Sequence, residues 1–385
     1  MGENKRYLLV LCALLFIAAC QPTGNVVVEQ DSTDDFDDGE AFEMSQSSSE
    51  VSDMLFVEPA GVQKERKEFV QKLKRIKRKQ ARQLYEQYID VIGANGILDS
   101  VQKLWPKCHS EAHDLGKVIF AKVQDIGNGL RICADRCYSG CMHGVLMEAF
   151  TSFQNSSDTD GHIDVEALKP FMNDLCRNNT EMVSSYSPGD CAHGVGHALM
   201  FLSGYTVPEA VEGCKQFNSP TMGYYCATGT YMEYVAENDK KDVLANKTLF
   251  YPCDTYDYPA ACARYKNVYV ANRFYKKNMT AEHLIPECEK LDGKFRLGCF
   301  HGIGNAYMAL IASGKMNISS VCLHGSEDEK FMCIEGAIER MAKYHRPKAL
   351  KACGNLEGKY KDICLAAVDQ GMYNMTKNLT LYLAG

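Results

Sequence analysis

Cys299-Phe300-His301-Gly302-Ile303-Gly304-Asn305-Ala306-Tyr307-Met308-Ala309-Leu310 opens on a pattern that the chain uses again. Cys141-Met142-His143-Gly144 and Cys191-Ala192-His193-Gly194 share the Cys-x-His-Gly start. Gly also stands three places after a cysteine at Gly229 and Gly336, and is replaced at Tyr265 and Ala367. Around these starts the cysteines fall in pairs: Cys176/Cys191, Cys214/Cys226, Cys253/Cys262, Cys288/Cys299, Cys322/Cys333 and Cys353/Cys364. Their separations are 15, 12, 9, 11, 11 and 11 residues, and the second members, from Cys141 on, step by 50, 35, 36, 37, 34 and 31. A period near 35 residues is the length of a two-helix repeat unit.

Both halves of the unit read as helix. Gly inside a helix costs about 1 kcal/mol against Ala, so its recurrence at one register predicts a close approach between helices. Thr206-Val207-Pro208-Glu209 reads as a capping box with Pro in the first turn. Arg346-Pro347 and Ser319 or Ser320 mark later starts. Each second helix ends at the first Cys of a pair, as in Ala349-Leu350-Lys351-Ala352-Cys353. Each pair is therefore expected to staple one helix end to the next helix start. Closing a loop of about ten residues this way stabilises by somewhat under ~3 kcal/mol in the chain-entropy model. Cys108, Cys133, Cys137 and Cys141 form an atypical first unit whose three connectivities stay open. The expected fold is all-α, with disulfide-stapled helical-hairpin repeats forming an α-solenoid or α/α superhelical array.

The stretch Lys348-Ala349-Leu350-Lys351-Ala352-Cys353 with Cys364 resembles the cysteine-rich branch of SEL-like, tetratricopeptide-related repeat proteins. The resemblance covers roughly 108–385, with a longer intercysteine loop and without the usual Gly-x-Gly-Val turn. It implies an α-solenoid that binds partners, and it carries no catalytic residues over.

The rest of the chain speaks to compartment. Lys5 and Arg6 precede an apolar run from Tyr7 to Ala19, too short to span a bilayer and suited to a signal-peptide core. Ile17-Ala18-Ala19-Cys20 resembles the lipobox of prokaryotic lipoproteins, which implies lipidation at Cys20; ordinary secretion is the other reading. Without Cys12 and Cys20, sixteen of the 18 cysteines remain, an even number that suits an oxidising compartment. Sequons at Asn155, Asn178, Asn246, Asn278, Asn317, Asn374 and Asn378 agree with export.

Charge divides the N-terminal third. Ten acids and no base lie between Asp31 and Glu58, so 20–61 reads as an extended, self-repelling tether after a signal peptide at 1–19. Ten bases then lie between Lys64 and Arg82, and Phe69, Leu73, Ile76, Leu84 and Tyr88 recur at helical spacing. Residues 62–91 are expected to form a basic amphipathic helix that packs one stripe on the domain behind it; the alternative is a helix lying on anionic lipid or on the acidic tether. The cysteine-rich repeat domain is placed at 92–385. A net charge of −7 argues against a nucleic-acid binder.

Histidine carries what chemistry the sequence shows. His109/His113 and His193/His197 are i,i+4 pairs, so each pair shares one helix face. Neighbouring helices lie about 8–10 Å apart, within reach of imidazoles pointing inward. A divalent metal such as zinc held by His109, His113, His143, His193 and His197, with Glu148 as ligand or base, is the sharp expectation. Histidines that merely cap or pack are the plain one. Glu233 stands, like Glu148, seven residues past its cysteine. Other motifs fail. In His109-Ser110-Glu111-Ala112-His113 the Glu points about 200° away from the histidines, unlike a zinc protease. Cys137-Tyr138-Ser139-Gly140-Cys141-Met142-His143 is not a haem-attachment motif, and Gly194-Val195-Gly196 is not a dinucleotide loop. Ser156–Ala167 lacks the terminal Glu of a calcium loop, and Asp164 reads as a helix cap.

The expected function is a membrane-anchored extracytoplasmic lipoprotein whose repeats bind a protein or glycan. A metal-dependent envelope hydrolase and a structural envelope protein are the alternatives.

Overall fold

The computed structural model describes residues 61–133, 136–156, 165–178, 188–276 and 280–370. All belong to one compact unit, Phe36–Gly385. The expected signal peptide, Cys20, the tether up to residue 60 and the sequons at Asn278, Asn374 and Asn378 lie outside the described residues, as do the side chains of Asn155 and Asn178. Asn246 and Asn317 are exposed.

Among the described residues the protein is helical throughout, with no strand. In chain order the first helices are α1 (Gln63–Leu73), α2 (Ala81–Leu104), α3 (His109–Val123), α4 (Ile126–Ile132), α5 (Gly140–Ser156), α6 (Val165–Asn178), α7 (Pro188–Leu202) and α8 (Val207–Cys214). They continue as α9 (Pro220–Leu244), α10 (Pro259–Tyr275), α11 (Ala281–Cys288), α12 (Gly293–Ala312), α13 (Ile318–Cys322), α14 (Glu327–Tyr344), α15 (Arg346–Cys353) and α16 (Gly358–Gln370). The helices α2, α3, α5, α7, α9, α10, α12, α14 and α16 each pack on the next in that order. The shorter α4, α6, α8, α11, α13 and α15 sit between them in sequence, so a repeat unit is one short and one core-forming helix.

Disulfides join the two kinds of helix. Cys176, Cys214, Cys288, Cys322 and Cys353, all in the last turns of short helices, bond to Cys191, Cys226, Cys299, Cys333 and Cys364 near the starts of the next long ones. Cys253, from a loop, does the same to Cys262. In the first unit Cys133 bonds Cys141 and continues the pattern, whereas Cys108 bonds Cys137 and is an addition to it. All sixteen of these cysteines are buried.

Glycine sets how closely the long helices approach. A Cβ on Gly196 of α7 would lie 1.9 Å from the Cys226 carbonyl oxygen, and one on Gly229 of α9 would lie 1.9 Å from the His193 oxygen. The same reciprocal contact joins Gly116 and Gly144 between α3 and α5, and Gly304 and Gly336 between α12 and α14. Backbone meets backbone at each crossing, so side chains flanking the glycines are brought face to face.

Some local expectations are corrected. Thr206 stands at the start of α8 but its side chain makes no cap bond; the start rests on extended backbone and Pro208. The α13 start is capped by Asn317, whose side chain accepts from the Ser319 amide at 3.1 Å, and not by Ser319 or Ser320. The basic segment is not one helix. A break at 74–80 separates α1 from α2, and Gly93 (φ 69°, ψ 165°) interrupts α2 just past the expected boundary at 91. Phe69 and Leu73 of α1 are fully buried, with the Phe69 ring 5.4 Å from that of Tyr88. This segment therefore packs its apolar stripe on α2.

Contacts also reach beyond neighbouring repeats. Lys343 at the end of α14 donates to both oxygens of Asp190 in α7, at 2.8 and 2.7 Å. Tyr344 meets Tyr138 edge to face with ring centroids 5.9 Å apart, and Arg264 of α10 donates to Glu339 of α14 at 2.8 Å. A one-dimensional array touches only its neighbours; this unit adds ties between its early and late helices.

Candidate metal centre

Five histidines come together on α3, α5 and α7. His109, His113, His143 and His197 each offer a ring nitrogen within 4.8 Å of the others. His193 joins through His197, Nε2 to Nε2 at 3.2 Å. All five are buried, His143 and His197 at 2% and 1% exposure. His301, the third member of the Cys-x-His-Gly pattern, stands elsewhere. Its Nε2 is 3.5 Å from Glu339, and burial pulls its pKa down to about 4.

Neighbouring groups make Nδ1 the donor in three of the rings. His109 Nδ1 lies 3.1 Å from the Cys137 carbonyl oxygen, which can only accept, so Nδ1 is the donor. His197 Nδ1 donates to Glu233 Oε2 at 2.9 Å. Thr228 donates its hydroxyl to the Tyr225 carbonyl at 2.6 Å, so its oxygen accepts from His193 Nδ1 at 2.7 Å. With Nδ1 as the donor, the neutral form of each of these three rings presents a lone pair at Nε2. Two of them, on His193 and His197, face each other at 3.2 Å. A single shared proton or a cation between them satisfies that contact. His113 Nε2 lies 3.1 Å from His109 Nε2. His143 has no hydrogen-bond partner at either ring nitrogen among the described residues.

The fold builds these positions from several devices. The Cys108–Cys137 disulfide ties the start of α3 to the loop whose carbonyl receives His109. Cys137, Tyr138 and Ser139 in that loop all have positive φ (51°, 53° and 61°). Such backbone costs of order 1–3 kcal/mol per residue and persists where surrounding structure enforces it. The Gly116–Gly144 crossing brings His113 and His143 together, and the Gly196–Gly229 crossing sets His193 against Thr228.

Electrostatics favour the neutral form of three of the rings. Burial, then the other imidazoles, hold the pKa values of His113, His143 and His193 well below the ordinary histidine range; Lys117, Lys343 and Arg264 add respectively to the three shifts. Burial works to raise the Glu233 carboxyl, but bonds from His197 and from the Tyr205 hydroxyl (3.1 Å) hold it below its usual value. Glu233 thus supplies a negative charge behind His197, the carboxylate–histidine arrangement that orients metal ligands.

Glu148, the expected ligand or base, pairs with Arg82 of α2 at 3.3 Å and is not one of the four residues whose ligand atoms converge. The groups that orient the cluster, Glu233, Thr228 and the Cys137 carbonyl, are not among the ligands expected from sequence. Glu233 had a signal in its register seven residues past Cys226; the other two had none.

Compared with models of known protein families, with curated sequences and with solved structures, the chain matches none. Fold and site together define an all-α, disulfide-stapled repeat protein with a buried imidazole cluster.

Proposed function

We propose that this is a metalloprotein of an oxidising, extracytoplasmic compartment, binding a first-row transition ion through His109, His113, His143, His193 and His197. The observation that supports it most is the Nε2-to-Nε2 approach of His193 and His197, 3.2 Å, with both Nδ1 atoms engaged by other groups. Two nitrogens bonded to one ion at ~2.0–2.1 Å and spaced this way subtend roughly 100°, near the tetrahedral angle. An all-imidazole set suits zinc, copper, iron or nickel rather than calcium or magnesium. Eight disulfides favour an oxidising environment, and no helix among the described residues is long and apolar enough to cross a membrane. A lipid at Cys20 would hold the centre at a membrane face.

Burial of all five imidazoles restricts the centre to the ion itself and to small molecules, which disfavours hydrolysis of a polymer. Recognition of a protein or glycan on a repeat surface gives no account of the converging lone pairs. Metal analysis of the purified, disulfide-intact chain tests the reading. At least one tightly held zinc, copper, iron or nickel ion per chain is expected, lost in His197→Ala. A chain that holds none after incubation with each ion overturns it.

A further inference from the structure

We infer that the cluster holds two metal ions with His143 as the bridge between them, one ion on His109 and His113 and the other on His193 and His197. This rests on the metalloprotein reading above and adds its nuclearity.

Four of the rings meet Nε2 to Nε2, in two pairs spaced 3.1 and 3.2 Å, and each spacing fits the bite of a single ion. His143 packs against both pairs, which also meet each other through His197, its ring centroid 5.9 and 5.0 Å from those of His109 and His113. The His143 ring centroid is 5.2 and 5.8 Å from those of His109 and His113, and 5.0 and 5.2 Å from those of His193 and His197. A ligating ring has its centroid about 3.2 Å from the ion, so two rings on one ion have centroids up to about 6.4 Å apart. All four separations fall within that limit, which allows His143 an ion on either side.

The second observation is the state of His143 itself. It is 2% exposed, and neither Nδ1 nor Nε2 has a hydrogen-bond partner among the described residues. A buried polar group left without a partner costs about 1–3 kcal/mol, and this ring has two. One ion ligated by His143 would satisfy one nitrogen and leave the other orphaned. Two ions satisfy both. The six nitrogens of the five rings then divide as three to each ion, leaving room at each for water or a small ligand.

The bridge balances as follows. A neutral His143 carries one N–H. On binding the second ion that N–H bond breaks, the proton passes to solvent, and the resulting imidazolate forms one bond to each ion. No electron is transferred. The imidazolate and Glu233 each contribute a negative charge beside the ions, and the remaining rings stay neutral.

The test is a Cu(II) titration of the full, disulfide-intact chain, with metal analysis and electron paramagnetic resonance at each step. Two copper ions per chain are expected, and the integrated signal should grow to one spin and then fall well short of two, because an imidazolate couples the spins antiferromagnetically. His143→Ala should remove the coupling, and added imidazole should restore it by filling the vacated space. Circular dichroism establishes that the variant is folded; the wild-type titration decides the question even if it is not. Saturation at one ion per chain overturns the bridge and leaves the single-ion reading standing. Two ions with two full, uncoupled spins overturn the bridge as well. No bound copper, zinc, iron or nickel overturns both readings.

Discussion

His193 and His197 show how a site is specified by atoms that never touch the ion. Each ring is committed by its Nδ1 proton, one to Thr228 and one to Glu233. Replacing Glu233 by Gln keeps the shape and removes the charge; outer-shell changes of this kind cost about 10–100-fold in metal affinity, and competition against a chelator should read that loss in a folded protein. Thr228→Val removes the acceptor for His193 and the donor to the Tyr225 carbonyl, leaving both buried. Denaturant unfolding should place it about 1–3 kcal/mol below wild type. The histidines themselves were legible in sequence, because an i,i+4 spacing is a statement about one helix face. Their proton positions were not, since Cys137, Thr228 and Glu233 are brought to them by the packing of separate elements. Glu148 illustrates the same limit: its register resembled that of Glu233, but Arg82, from a helix far upstream, pairs with it.

At the scale of elements, the glycine crossings and the staples do different work. Gly196 and Gly229 set the α7–α9 contact, and a methyl group on either would stand 1.9 Å from a carbonyl oxygen. Gly229→Ala should therefore destabilise by ~3 kcal/mol or more, at the upper end of overpacking effects, and should weaken metal binding by displacing the His193 backbone. Gly204→Ala is the control: it meets nothing within 4 Å, and only its φ of +58° opposes the change. Thermal unfolding of the two variants compares close approach with backbone strain alone. The Cys108–Cys137 bond spans 29 residues and stabilises by roughly 3–4 kcal/mol in the chain-entropy model. Its removal by Cys108→Ala with Cys137→Ala should also loosen the carbonyl that holds His109, so metal affinity should fall more than in a pair such as Cys353→Ala with Cys364→Ala. The regular staples were legible from their period. The pairing of the first four cysteines was not, because their spacing permits three patterns and only the placement of the α5 start against α3 selects one.

For the whole molecule, burial of neutral imidazoles ties stability to acidity. His113, His143 and His193 have folded pKa values well below the unfolded value near 6.5, and His301 lies at about 4. Below pH ~6.5 the unfolded chain takes up protons that the folded chain refuses, so stability falls as pH falls, by about 1.4 kcal/mol per pH unit for each such histidine. For His301 that loss levels off below about pH 4. Urea unfolding of the metal-free protein at pH 7, 6 and 5 should show midpoints moving steadily down, with bound metal opposing the shift at pH 7 and less so at pH 5. Helix content and the repeat were readable at this scale, since period and cysteine register are local. The Lys343–Asp190 and Arg264–Glu339 ties were not, because charges so far apart in sequence carry no mutual pattern.

The central claim is that imidazole nitrogens, and no sulfur, hold a transition ion inside this oxidised helical array. X-ray absorption at the metal edge of the zinc- or copper-loaded chain tests it most directly. The account predicts a first shell of nitrogen at ~2.0–2.1 Å with the outer-shell scattering of imidazole rings. A shell of sulfur near ~2.3 Å, the distance of thiolate ligands, or a shell without imidazole scattering would contradict it.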